Sequence, residues 1–299
     1  MISSAQPLAL LAGILFYALG VGIANYLGFS VNLVDYWLGQ AVVSTLQLGS
    51  SYLKVYYDLL EQPPKRRRKD LQLPHQEPGD DDVRVDLPRN VVLLAALSAL
   101  TVGAVFTVLL LSRGVINLAT MVMLGVAFVL AFFYAVPPLR LVYTGYGELA
   151  QAILVANLIP ALAFLFQTGE VHRLLPMLTF PLTALYLAMT LSLGLPAYLK
   201  NLRQQRSTML IRMGWQRGMF LHNLLIFFSY LLLGLAAILG LPWLLTWPLL
   251  LTLPLGLFLI WLMTRIAAGA PARWRLLNFS SIALVAMAAY LTTLALWTS

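Results

Sequence analysis

The sequence predicts an all-α integral membrane protein with nine transmembrane helices, and three observations carry that prediction. The 299-residue chain has 61% hydrophobic and 10% charged residues and a mean hydropathy of +0.85, too much apolar side chain for one soluble core of ordinary proportions. Continuous apolar runs of about 20 residues, enough to cross roughly 30 Å of hydrocarbon, recur along its whole length. Lys and Arg residues fall in alternate connections between those runs, the pattern of an inserted helical protein. Continuous rather than alternating apolarity selects helices over a barrel, because inside lipid each segment must satisfy its own backbone hydrogen bonds.

The spans read as 6–28, 36–58, 90–111, 115–136, 147–167, 176–199, 218–239, 242–263 and 275–297. The first lacks the short apolar core and small-residue cleavage site of a secretory signal and stays as a true span. Span two ends in a polar stripe. Gln62 to Asn90 is the one long polar segment; its basic run Lys65 to Lys69, five prolines and acidic run Asp80 to Asp82 predict a mobile cytoplasmic loop over 62–90, near anionic headgroups. Pro137 and Pro138 stop span four, and Glu148 opens span five, where a carboxylate suits the positive end of the helix. The whole of 1–299 forms one transmembrane domain.

Seventeen of the 19 Lys and Arg lie at the inner end of span two or in the loops after spans two, four, six and eight, leaving Arg113 and Arg173 for the other side. That places the N-terminus in the cytoplasm and the C-terminus opposite. Topology therefore accounts for the net charge of +8, and no nucleic-acid partner is implied. The absence of cysteine excludes disulfides, thiolate metal sites and cysteine nucleophiles. His75, His172 and His222 have no ligand spacing.

Three loci carry candidate chemistry. At the end of span two, Lys54, Tyr57, Asp58 and Glu61 stand at i, i+3, i+4 and i+7 and share one helix face; polar groups there must face protein or water, which implies the mouth of a polar cavity. After span four, Tyr134, Arg140, Tyr143 and Glu148 crowd a short connection in which Gly145 and Gly147 permit tight turns. After span six comes the run Lys200-Asn201-Leu202-Arg203-Gln204-Gln205-Arg206, with Thr208 to Gly214 behind it.

Tyr143-Thr144-Gly145-Tyr146-Gly147-Glu148 resembles the Tyr-x-Gly-x-Gly-Glu turn of UbiA-superfamily prenyltransferases, closest to the branch that prenylates dihydroxynaphthoate in menaquinone synthesis. Gln47-Leu48-Gly49 followed by Lys54 to Asp58 resembles that family's span-two motif, and Asn201-Leu202-Arg203 its motif after span six. The resemblance implies a UbiA-like bundle around a central cavity open to the cytoplasmic side, in a bacterial inner membrane. It further implies transfer of a polyprenyl chain from its diphosphate to an aromatic quinone precursor, with Mg²⁺ as cofactor if the protein is active and none otherwise. The implied partners are the bilayer, an isoprenoid diphosphate, quinone or other prenyl lipid, and other proteins of a membrane complex.

The motifs depart from the family where it holds metal. Lys54 and Val55 replace an Asn-Asp pair, Gln62 replaces a later Asp, Gln204 stands where the first Asp of the other motif belongs, and no acid follows Glu170. Under the resemblance Asp58 and Glu61 take any remaining metal; Lys54, Tyr57, Asn201, Arg203, Gln204 and Arg206 bind substrate or phosphate; and Asp58, Tyr134, Arg140, Tyr143 and Glu148 form the catalytic set. Two expectations stay open: a divergent transferase with weakened metal chemistry, in which fixed cations replace the metal's charge, or a non-catalytic subunit or scaffold that binds an isoprenoid, quinone or pigment in the same cavity.

Overall fold

The computed structural model describes residues 5–61, 88–203 and 206–298. All regular structure among them is helical, apart from a single parallel bridge between Thr144 and Ser207. The polar segment 62–87, most of the loop expected over 62–90, lies outside the described residues, and Arg89 and Asn90 already belong to the next helix.

The helices are α1 (Ala5–Tyr26), α2 (Leu33–Glu61), α3 (Arg89–Ser112), α4 (Leu118–Ala135), α5 (Gly147–Ile153), α6 (Ile159–Thr168), α7 (Leu174–Gly194), α8 (Tyr198–Arg203), α9 (Met209–Met213), α10 (Trp215–Ile238), α11 (Trp243–Leu250), α12 (Leu253–Ala267) and α13 (Trp274–Thr298). Several join into longer rods. Among the described residues eight rods are long and apolar enough to cross a membrane, including 147–168, 174–203 and 243–267. The long helix outside that set is α2. Its 29 residues include Asp35, Gln40, Gln47, Lys54, Asp58 and Glu61, which lower its hydropathy while its other face packs on α1, α3, α4 and α6.

Proline sets the breaks within rods. Pro160 has no N–H to donate and its ring would strike the carbonyl four residues back; the chain answers with a π-helical turn over Leu154–Leu158 between α5 and α6. Pro254 stands in the first turn of α12, after a turn at Leu251 and Thr252 that separates it from α11.

Small residues let the rods approach. A Cβ on Gly20 of α1 would lie 2.2 Å from the Pro160 carbonyl oxygen, and one on Gly39 of α2 would lie 2.1 Å from Tyr17 Oη. The core runs through α1, α6 and α7, where Phe16, Tyr17, Leu162, Phe164, Leu182 and Tyr186 are fully buried. In contrast α3 and α4 turn Val105, Val108, Met121 and Val122 outward, the expected surface of a protein solvated by lipid.

Polar bonds pin the two ends. At one end Asn117 caps α4 by accepting from Thr120 N at 2.9 Å, and Arg113 Nε meets Asp35 Oδ1 at 2.5 Å. That hydrogen bond holds the Arg113 guanidinium above its usual range. The opposite end gathers the C-terminus of α2, the connection after α4 and the segment between α7 and α10.

Candidate functional site

The site is built from the turn after α4. Pro137 and Pro138 end the helix, and Arg140 follows in the left-handed region at φ +37°, a conformation that costs an L-residue about 1–2 kcal/mol. Its backbone is held on both sides, with Arg140 N donating to Val136 O at 3.1 Å and Tyr143 N donating to Arg140 O at 2.9 Å. The conformation turns the guanidinium back onto α2.

There Arg140 spans two carboxylates. Nη2 donates to Asp58 Oδ1 at 2.7 Å and Nη1 donates to Glu61 Oε1, while Asp58 Oδ2 accepts from Tyr143 Oη at 2.9 Å. The Arg140 side chain is only 10% exposed and Asp58 19%, whereas Glu61 is 65% exposed. Breaking the inner pair would leave a charge with poor access to water, so it is worth more than the outer one. Burial, reinforced by the Asp58 charge, pushes the Tyr143 phenol well above its usual range, so it stays a donor.

The segment before α10 closes over this turn. Arg206 lies over the Tyr143 ring at 4.9 Å, and Arg140 lies 4.7 Å from the same ring. Arg212 repeats the arrangement over Tyr146 at 4.8 Å and donates to Thr144 O at 3.1 Å. Gly145, at φ +85°, admits that approach, since a Cβ there would lie 2.8 Å from Arg212 Cδ. Glu148 Oε2 accepts from Met209 N at 3.2 Å at the start of α9, whose cap is Thr208.

A cavity of about 90 Å³ opens between α1, α2, α4 and the α5–α6 rod. Its wall includes Gln47, Ser50, Ser51 and Lys54 from α2, Tyr134 from α4, and Gln151, Leu154 and Val155. Lys54 lies within Coulomb range of Asp58, Arg206, Glu148 and Arg140 and makes no ion pair among the described residues. Tyr134 Oη donates to Gln151 Oε1 at 3.4 Å, and the buried Gln47 Oε1 has no partner there.

The sequence candidates therefore divide. Asp58, Glu61, Arg140, Tyr143 and Arg206 meet directly; Lys54 and Tyr134 line the adjoining cavity; Glu148 buttresses α9. Tyr57 packs with Leu53, Ala96, Ala135 and Val136. Asn201 contributes its carbonyl, which accepts from Arg206 N at 3.0 Å, Arg203 is exposed on α8, and Gln204 lies outside the described residues. Sequence reasoning passed over Ser50, Ser51 and Gln151 as site residues. The first two were findable, since with Gln47 and Lys54 they repeat at helical spacing; Gln151 had no comparable signal.

A hard divalent cation takes several oxygen ligands. Among the described residues no three His, Cys, Asp or Glu side chains converge on such a position. Both carboxylates at the end of α2 are engaged by Arg140, and Glu148 is turned to the α9 backbone. This donor set does not fit a divalent-metal clamp.

The bundle has the fold of solved UbiA homologues. It superposes on the structure of a UbiA homolog from Archaeoglobus fulgidus bound to Cd²⁺ with a TM-score of 0.63 and 14% identity, over 96% of this chain and 97% of that one. The DMAPP and Mg²⁺ complex of a UbiA homolog from the same organism gives 0.58 and 15%, over 96% of each chain. A digeranylgeranylglyceryl phosphate synthase gives 0.63 and 12%, over 97% of this chain and 94% of that one. At such identities the likeness establishes the fold alone. No protein-family model matches the chain, and no curated protein sequence matches it.

Proposed function

We propose that this chain is a UbiA-type membrane protein that holds an isoprenoid chain inside its bundle, with metal-assisted loss of diphosphate weakened or lost. One observation carries the reading: Arg140 binds both Asp58 and Glu61, the carboxylates left at the end of α2. In the homologues of like fold, complexes with DMAPP and with GPP, each with Mg²⁺, give precedent for an isoprenoid diphosphate as ligand.

In this reading α2 is the ninth span, since 29 residues extend roughly 43 Å and its polar stripe faces protein rather than lipid. The site lies on the cytoplasmic side, where the basic connections collect. The membrane is a bacterial inner membrane.

Lys54 favours a second reading. A fixed cation on the cavity wall beside Tyr134 can stabilise a leaving phosphate without metal, supporting slow prenyl transfer to an aromatic quinone precursor with Tyr134 and Tyr143 screening the allylic cation.

The test is to incubate purified protein with prenyl diphosphates of several lengths, aromatic acceptors, and Mg²⁺ or chelator, following diphosphate release while identifying co-purified lipids by mass spectrometry. The binding reading predicts release no faster than in buffer together with a bound isoprenoid, quinone or pigment. Release faster than in buffer that survives chelation establishes the second reading. Release at about 1 s⁻¹ or faster that requires Mg²⁺ refutes both.

A further inference from the structure

The ion pairs at the site are unevenly shared. Arg140 takes up Asp58 and Glu61, and Glu148 is satisfied by the Met209 backbone. Lys54 and Arg206 remain, neither with an ion pair among the described residues. Arg206 is positioned by its guanidinium face on Tyr143, which orders the group while leaving its N–H edge available. Arg140 adds a third donor: its Nε is buried and has no acceptor among the described residues, an arrangement that costs about 1–3 kcal/mol unless a ligand supplies one.

We propose that Arg140 takes the place of a divalent cation, occupying the inner carboxylate Asp58 and bridging it to the solvated Glu61 as a covalently tethered charge, so that Lys54 and Arg206 bind phosphate oxygens directly and without metal. The ligand is an isoprenoid phosphate or diphosphate. Lys54 lies within Coulomb range of Arg206 and Arg140, and both guanidiniums lie on the Tyr143 ring, so three cationic groups from α2, the turn after α4 and the segment before α10 neighbour one another, a concentration of donors that suits a phosphate. The chain half of this ligand rests on the function proposed above; the head rests on these residues alone.

Binding of geranylgeranyl diphosphate to the full chain in detergent, measured by calorimetry in excess EDTA and in Mg²⁺, tests the proposal. The expected Kd values agree within about threefold; a loss of about tenfold or more in EDTA overturns it. Lys54→Met should weaken the diphosphate by about tenfold and change geranylgeraniol, which carries no phosphate, by less than about twofold. Equal effects on the two ligands overturn the assignment of the head.

Arg140→Gln frees the two carboxylates, and its diphosphate affinity should become Mg²⁺-responsive. If that variant does not fold, Arg206→Gln, with the same EDTA and Mg²⁺ comparison, decides instead: an unchanged affinity overturns the head site. Phosphatidic acid and inorganic diphosphate identify the source of the phosphate. If geranylgeraniol fails to bind while either phosphate binds in EDTA and is lost in Lys54→Met, the isoprenoid reading falls and the metal-free head site stands. Phosphatidic acid binding more tightly than geranylgeranyl diphosphate overturns the choice of ligand.

Discussion

Asp58 and Arg140 stand 82 positions apart in the chain and 2.7 Å apart in space. The contact joins the end of α2 to the turn after α4 and commits to an internal cation the carboxylate most able to serve an external one. Truncating either partner strands the other in a poorly hydrated place. Arg140→Gln should cost about 1–3 kcal/mol and Asp58→Asn a similar amount, whereas Glu61→Gln, at a mostly exposed partner, should cost less than about 1 kcal/mol. Chemical denaturation in micelles orders the three; Glu61→Gln proving the most damaging would contradict the geometry.

Helix approach at Gly20 makes a second prediction. The two nearest atoms a Cβ would strike there belong to the Pro160 backbone and the next is the Ala163 Cβ, none of which can rotate aside, while Gly125 on α4 has nothing within 4 Å. Gly20→Ala should destabilise by about 2 kcal/mol. Gly125→Ala should be neutral or stabilise by up to about 1 kcal/mol. The same denaturation assay reads both, and equal effects would mean that α1 and α6 do not pack as described.

Glu148 supplies the acceptor for the first amide of α9. In Glu148→Ala that N–H returns to water, and hydrogen exchange at Met209 through Ile211 should quicken by about tenfold, with the amides of α3 unchanged. Unaltered exchange over 209–211 would show that Glu148 does not hold this segment.

Because the chain has no cysteine, single thiols report topology on a clean background. Ser112 and Arg203 are both exposed and lie at opposite ends of the bundle. An impermeant maleimide applied to intact cells should label Ser112→Cys at once and Arg203→Cys only after permeabilisation. The reverse pattern would invert the orientation drawn from the basic loops.

These predictions draw unequally on what could be read in advance. The expected spans 90–111 and 147–167 fall within a residue or two of α3 and the α5–α6 rod, because lipid imposes a minimum apolar length that composition displays directly. Span two shows where hydropathy weakens as a guide: α2 runs on to Glu61, through residues that conceal its length by serving the site.

Within the site, helical spacing sets Lys54, Tyr57, Asp58 and Glu61 on neighbouring positions of α2; Asp58 and Glu61 meet Arg140 and Lys54 lines the cavity, while Tyr57 packs against α3 and α4. What they meet was not legible. It depends on Arg140 adopting a left-handed conformation usually left to glycine, which no local propensity announces, and on the segment before α10 folding back across Tyr143. Gln151 enters the cavity wall from one turn before a π-helical widening that answers to Pro160, a consequence of packing rather than of the motif around Glu148.

The central claim is that Asp58 and Glu61 belong to Arg140 and not to a metal ion. Titration of the purified chain with Mn²⁺, followed by the electron paramagnetic resonance signal of the free ion, tests it most directly. The account predicts a free-ion signal that matches buffer for the wild-type protein. Stoichiometric loss of that signal, restored in Asp58→Asn, would contradict it.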